Sequence, residues 1–400
     1  MQLNNFWKKF CTATLSALFI FLPQARAQQR NASQAGMDRE RLARIPVRMK
    51  SFVEQGRMAG AVTLIARRGQ IVSLEAVGYQ DLESKKPMRT DTIFDIRSLT
   101  KPVTAIGIMI LMEEGRLALG DPVEKYLSEF KSADGKPQDQ SNPITIRQLL
   151  THTAGLPLYR LPESEEIAIK RHRTLADYVS FLSKQKPEYE PGTRHRYSSG
   201  GFAILGRIIE VVSGKPYEQF MRERIFVPLE MKDSFFFIPA EKQSRVASIY
   251  RLQNGKPVKW EELMAYSQKA RYPGPEFGMY STASDLAALC QMMLDGGTYK
   301  GRRILSRQSV REMTENQTTG IASAVTQRMV YQGLGWGLHG DPLYNFPLTS
   351  AGSFGHNGAT GTIFWADPQD GLIRIFLQQL FGFGNESDIF MAMAAAAVAD

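Results

Sequence analysis

The stretch Val103 to Met112 restricts the fold of this chain more than any other, because V-T-A-I-G-I-M-I-L-M puts no charge on any face of a helix. A helix that is apolar all round has no side to offer water and belongs in the middle of a protein. Its head is different. Ser98-Leu99-Thr100-Lys101 opens the run, Pro102 sits in the first turns where a missing N–H costs little, and Gly115 ends it. Residues three apart share a helix face, so the Ser98 hydroxyl and the Lys101 amine meet at the end of a buried rod. Desolvation and the positive helix end both disfavour an ammonium there and push Lys101 towards acting as a base. The same helix end favours an alkoxide and an acyl oxyanion at Ser98. Ser98 is therefore a candidate acyl-forming nucleophile, set against the plainer reading of an N-cap serine. Two further S-x-x-K matches, Ser128 to Lys131 and Ser183 to Lys186, lie in charged stretches and read as helix surface.

Two later motifs carry compatible chemistry. Tyr197-Ser198-Ser199 lies in a polar loop ahead of another apolar run. A phenol beside an ammonium loses its proton more easily, so Tyr197 is a candidate relay between Ser98 and a leaving group; the alternative is a packing tyrosine. His356-Asn357-Gly358-Ala359-Thr360-Gly361-Thr362 reads as a glycine-rich turn leading into a strand. A strand edge offers backbone N–H groups that complete an oxyanion hole with that of Ser98, against the alternative of a glycine turn with an incidental histidine.

The 400 residues are 43% hydrophobic, enough for one large core or two joined ones. Residues 1–27 read as a secretory signal peptide: Lys8 and Lys9, the short apolar run Leu15 to Leu22, then Ala25-Arg26-Ala27, with cleavage expected after Ala27. This points to a periplasmic or extracellular protein with no stable membrane anchor. Removing the leader cations Lys8, Lys9 and Arg26 takes the formal charge from +9 to +6. The basic residues are scattered among acids, which argues against nucleic acid as a partner. Cys290 is the one cysteine after the leader, in an apolar run, so it reads as a buried structural thiol. The histidines at 152, 172, 195, 339 and 356 are dispersed, and no metal spacing or cofactor motif occurs.

Periodicity places a charged helix at Met37 to Glu54 and a β-hairpin at Ala61 to Ala66 and Ile71 to Tyr79. Helices are expected at 98–114, 121–130, 145–151, 175–182, 199–213 and 283–294, the last capped by Ser281 or Ser284. Strands at 361–365 and 372–378, joined by a Pro-Gly turn, precede a final helix at 388–398. Strands at both ends with helices between predict an α+β fold, an antiparallel sheet flanked by terminal helices with an inserted all-helical region. The α/β part is expected at about 37–100 and 300–400, the helical part at about 101–299, within one domain spanning 28–400.

Taken together, the three motifs in this order resemble the serine β-lactamase and penicillin-binding protein superfamily, in its class C-like branch with carboxylesterases and D-amino-acid peptidases. Leu149 to Pro157 (LLTHTAGLP), Gly278 to Thr282 and Gly333 to Gly337 resemble it too, and the similarity spans nearly all of residues 37–385. The resemblance implies an active site between sheet and helical region, with Ser98 as nucleophile and Lys101 and Tyr197 sharing base and acid work. It implies that His356 binds or polarises substrate and that the N–H groups of Ser98 and Ala359, beside Gly358, hold the oxyanion. Two positions depart from dedicated class C β-lactamases, which carry Lys-Thr-Gly at motif three and Asn at the end of motif two. Here His356 and Ser199 stand there, a weaker pH-dependent cation and a shorter donor. The expectation is therefore an exported ester or amide hydrolase acting on a small molecule or short peptide, cell-wall peptide included, rather than an efficient β-lactamase. The sequence is silent on oligomeric state.

Two rival readings remain at this stage. Ala351-Gly352-Ser353-Phe354-Gly355 matches an α/β-hydrolase nucleophile elbow, but no separate later histidine follows it. A non-catalytic penicillin-binding or sensor protein with the same fold is the other. The pocket walls are expected in the loops 158–190 and 323–348, where Glu163 to Glu166 and Lys170 to Arg173 form a charged lid or a solvated face.

Overall fold

Strand β1 (Gly60–Arg67) is buried along its whole length, which an alternating strand achieves only when both faces of its sheet are covered. It pairs with β2 (Gln70–Asp81) in the expected hairpin. Arg68 (φ +51°) and Gly69 (φ +77°) both take left-handed backbone, the two-residue turn that suits the twist of the flanking strands. With β3 (Lys86–Pro87), β4 (Gly337–Leu338), β5 (Phe354–Gly358), β6 (Thr362–Asp367) and β7 (Leu372–Leu377) they form one sheet in the order β4-β5-β6-β7-β1-β2-β3. Every pairing is antiparallel. Pairing of β7 with β1, from Val62 opposite Leu377 to Arg67 opposite Leu372, joins the two ends of the chain. The computed structural model describes residues 32–131, 142–157, 173–261, 271–344, 346–382 and 384–400. The expected leader and most of the charged lid fall outside them.

The main helices in chain order are α1 (Arg39–Glu54), α2 (Thr100–Glu113), α3 (Ile146–Leu150), α4 (Leu175–Leu182), α5 (Ser199–Ser213), α6 (Ala283–Leu294) and α7 (Glu386–Ala396). Ala61 and Ile65 of β1 share a core with Ile45, Met49 and Phe52 of α1 and Phe390 and Met391 of α7. Val62, Leu64 and Ala66 point the other way and join a larger core with Leu286 and Leu289 of α6. Within that core α2 is buried from Thr100 to Leu111, as its composition requires. It packs on α5, against which α3 and α4 also lie.

Several local expectations differ from the structure, each for a physical reason. Residues 121–130 form two 3₁₀ turns, Val123–Lys125 and Ser128–Phe130, because Pro122 and Leu127 are extended and interrupt the helix. Thr282, not Ser281 or Ser284, caps α6 by accepting from the Asp285 N–H, while Ser281 pairs in a short strand with Phe94. His356-Asn357-Gly358 is strand β5 itself and not a turn; the turn follows at Gly358 to Gly361, closed by the Gly361 N–H on the Gly358 carbonyl at 2.9 Å. Helix α6 lies on the sheet, although it falls in the stretch assigned to the helical part. A second sheet of Tyr250–Gln253, Lys256–Lys259 and Leu380–Phe381, and a helix at Arg307–Thr314, were not expected. Ser353 is wholly buried and accepts from the Trp365 indole at 3.0 Å, which removes it as an exposed nucleophile. Of the other S-x-x-K matches, Lys131 and Lys186 are exposed and the Ser183 hydroxyl is spent on the Ser180 carbonyl.

Candidate active site

Ser98 sits in a 3₁₀ turn, Arg97–Leu99, that runs straight into α2. The residue before it, Arg97, has φ +50°, a left-handed conformation that costs a side-chain-bearing residue energy and is held by its surroundings. The Arg97 guanidinium pairs with buried Asp95 at 3.1 Å, and the Arg97 N–H bonds the same carboxylate at 3.2 Å. One turn into α2, Lys101 is wholly buried and its Nζ lies 3.2 Å from the Ser98 Oγ. Its second partner is the Glu276 carbonyl oxygen at 2.8 Å. Burial pulls the Lys101 ammonium down to about 7, opposed by the Glu276 charge. The amine is thus poised to exchange a proton near neutral pH.

Tyr197 reaches this pair from the loop before α5, close enough for the Ser98 side chain to ease the ionisation of its phenol. The three motif residues do converge. The expected easing of the phenol's ionisation does not prevail, because burial raises its proton affinity above the usual tyrosine value. Lys101 Nζ lies over the ring, 4.7 Å from its centroid, where it meets the π face. The loop is held by His152, whose Nδ1 accepts from the Ser198 N–H at 3.1 Å and whose ring lies 4.5 Å from that of Tyr197. His152 itself has φ +58° and is kept neutral by burial. Ser198 is the N-cap of α5 and Ser199 its first residue, partly exposed beside Tyr197.

Motif three closes the site from the sheet. A Cβ on Gly358 would stand 2.6 Å from the Ile96 carbonyl oxygen and 3.2 Å from the Arg97 Cβ, so only glycine lets β5 approach the Ser98 turn this closely. Two hydroxyls fasten the contact: Thr362 donates to the Ile96 carbonyl at 3.0 Å and Thr360 to the Asp95 carbonyl at 3.2 Å. Ala359, between Gly358 and Thr360, is exposed at the turn.

His356 is 1% exposed, and both its ring nitrogens are engaged inside the protein. Nδ1 donates to the Asn357 carbonyl at 2.7 Å, which leaves Nε2 to accept from the Tyr344 hydroxyl at 3.0 Å. Burial and the nearby Lys101 hold its pKa down to about 3. The histidine that stands at motif three is therefore neutral, with both ring nitrogens paired inside the protein.

Sequence reasoning missed Glu276, Tyr272 and Tyr344. Tyr344 owes its place to Gly337, where a Cβ would meet the tyrosine ring at 2.2 Å. Glu276 touches Lys101 across 175 residues of chain, and no local pattern marks such a contact. The part played by His152 was legible only as a motif letter. Cys290 is fully buried in α6, as expected of a structural thiol. Among the described residues no group of His, Cys, Asp and Glu is arranged to hold a metal ion, and no helix is long and apolar enough to cross a membrane.

An antiparallel sheet backed by terminal helices, with a Ser–Lys–Tyr cluster where it meets the inserted helices, defines the architecture shared by β-lactamases and penicillin-binding proteins. The chain belongs to the beta-lactamase family, whose pattern matches residues 47–398. It is 32% identical over 356 residues to an uncharacterised protein of Mycobacterium tuberculosis, covering 83% of this chain and 88% of that protein. It is 27% identical over 365 residues to the N-acetylmuramyl-L-alanine amidase of Bacillus subtilis, covering 84% and 80%. Among solved structures, EstCE1, a hydrolase with promiscuous acyltransferase activity, matches with a TM-score of 0.75 at 26% identity, over 92% of this chain and 100% of that one.

Proposed function

We propose that this protein is a serine hydrolase that cleaves esters or small amides through an acyl group carried on Ser98. The observation that carries the reading is a wholly buried lysine, near neutrality in proton affinity, 3.2 Å from a hydroxyl at a helix head. Lys101 takes the Ser98 proton as Oγ attacks the substrate carbonyl carbon, and the C=O electron pair moves onto oxygen. The N–H groups of Ser98 and Ala359 receive that oxyanion, with Gly358 setting their approach. As the tetrahedral intermediate collapses, the bond to the leaving group breaks and its proton returns from Lys101 through the Tyr197 hydroxyl. Water then attacks the acyl-serine by the same steps in reverse.

Support for an ester rather than a β-lactam comes from His356. A neutral, internally paired ring offers no cation at motif three for a substrate carboxylate, and Ser199 is a short donor at the end of motif two. A hydrolase and an amidase among the similar proteins fit acyl transfer to water in general. Export with cleavage after Ala27 belongs to the same reading and is checked by N-terminal sequencing of the secreted protein.

The test is a side-by-side assay of the purified mature chain with a short-chain aryl ester, a chromogenic cephalosporin and a D-alanyl dipeptide. Ester turnover that Ser98→Ala abolishes supports the proposal. Stable labelling of Ser98 by a fluorophosphonate, with no turnover of any substrate, overturns it in favour of a binding or sensor protein.

A further inference from the structure

The segment from Tyr272 to Met279 is bound to three residues of the first turns of α2. The Met279 N–H bonds Thr100 Oγ1 at 3.1 Å, Lys101 Nζ bonds the Glu276 carbonyl at 2.8 Å, and Thr104 Oγ1 bonds the Pro275 carbonyl at 2.6 Å. The opposite side of the segment packs on α5, where a Cβ on Gly206 would stand 2.2 Å from the Pro275 ring. This clamp carries a carboxylate to the rear of the site. Glu276 is 1% exposed, and the Tyr272 hydroxyl lies 2.8 Å from each of its carboxylate oxygens. Its charge reaches Lys101, Tyr197 and Tyr217, the last hydrogen-bonded to Thr104. A buried carboxylate is expensive unless it answers a cation or is hydrogen-bonded, and here it has a hydroxyl in front and an amine within its field.

Resting on the acyl-Ser98 reading, we infer that Glu276 is a positioning residue that holds the Lys101 amine from behind, through its backbone carbonyl and a buried carboxylate anchored by Tyr272. Its backbone carbonyl aims the amine at Ser98, and its side-chain charge offsets part of the desolvation that lowers the amine's proton affinity. The other titratable groups facing Lys101 cannot supply that offset. Tyr197, before α5, has its proton affinity raised by burial and stays a neutral phenol; His152, after α3, and His356, on β5, are held neutral, and protonating either would repel the ammonium. Among the described residues, the negative group acting on Lys101 comes from the 272–279 segment. With Glu276 in place the amine titrates where it can both accept the Ser98 proton and give it back.

The experiment measures the pH dependence of fluorophosphonate labelling of Ser98, and of aryl-ester kcat/KM, in wild type and Glu276→Gln. Gln keeps the backbone carbonyl bond and the side-chain volume but removes the charge. Wild type should lose reactivity on the acid side near pH 7, as Lys101 becomes protonated. In Glu276→Gln that acid limb should move down by about 1 unit or more, so that activity at acid pH, taken relative to the variant's own plateau, rises. A merely structural glutamate would lower the plateau and leave the limb in place, and that result overturns the inference. If Glu276→Gln does not fold, the double variant Tyr272→Phe/Glu276→Met replaces both hydrogen-bonding partners by apolar groups of similar shape. Its limb should move the same way, and an unmoved limb again overturns the inference. Absence of labelling in wild type is a different failure: it removes the acyl-Ser98 reading and this inference with it.

Discussion

In the proposed reaction, Lys101 concentrates the chemistry in one atom. Because burial brings its proton affinity to about 7, the amine is neutral above that pH and an ammonium below it. Only the neutral amine can accept the Ser98 proton, so ester kcat/KM should fall as the pH drops through about 7. Lys101→Met should lower kcat/KM by roughly 10²–10⁴-fold and abolish the acid limb, checked by steady-state assays across pH. His356 shows the converse case, a polar residue in a site whose polarity is spent internally. Tyr344→Phe leaves the buried Nε2 acceptor unpaired and should cost about 1–3 kcal/mol, read as a lowered denaturant midpoint at constant slope. An unchanged midpoint would show that Tyr344 does not hold the ring.

At the scale of elements, the site is a meeting of the head of α2, the loop before α5 and the edge of β5. Each approach depends on something small or short. Gly358 permits the contact of β5 with the Ser98 turn, and the Thr360 and Thr362 hydroxyls secure it. Gly358→Ala would drive a Cβ to 2.2 Å from the Thr362 Oγ1 and against the Ile96 carbonyl, and one of them must give way. The expected cost is about 1–3 kcal/mol of stability with a larger relative loss of ester turnover, since the displaced strand leads into the turn whose Ala359 N–H is the proposed oxyanion donor. Thermal melts and kcat/KM measured on the same preparation separate the two effects. Full activity in Gly358→Ala would show that β5 does not position the reacting groups. Thr362→Val is the milder version, losing one hydrogen bond worth about 1 kcal/mol.

Over the whole molecule, burial of ionisable rings makes stability depend on pH. His195 is held down to about 4 and His356 to about 3, against an ordinary value of 6.5. Below pH 6.5 the unfolded chain binds protons that the native state refuses, so stability is intact above that pH and falls as the pH drops towards about 4 and then 3. Melting temperature should therefore decline across this window, and His195→Gln should flatten the upper part of the decline. A melting temperature that stays level from pH 6.5 to about 4 would contradict the burial of these rings. Cys290, fully buried with its thiol pushed above the ordinary range, should resist thiol reagents in the native state and react on unfolding.

Local physics was legible in the residues themselves. The unbroken apolar run after Ser98 demanded a buried helix, the Arg68-Gly69 turn a hairpin, and the 199–213 pattern a helix with the same limits as α5. Ser98 and Lys101 were placed together by helix periodicity, which depends on nothing outside one turn. Extended Pro122 and Leu127 broke an expected helix, and β5 hid in a glycine-rich segment because its strand character comes from its neighbours β4 and β6. Whether His356 is charged, what holds Tyr197, and which carboxylate stands behind Lys101 were decided only by the tertiary structure. Those answers depend on desolvation and on contacts between residues far apart in the chain, and both exist only once the sheet has joined the two ends of the chain and the helices have packed on its faces.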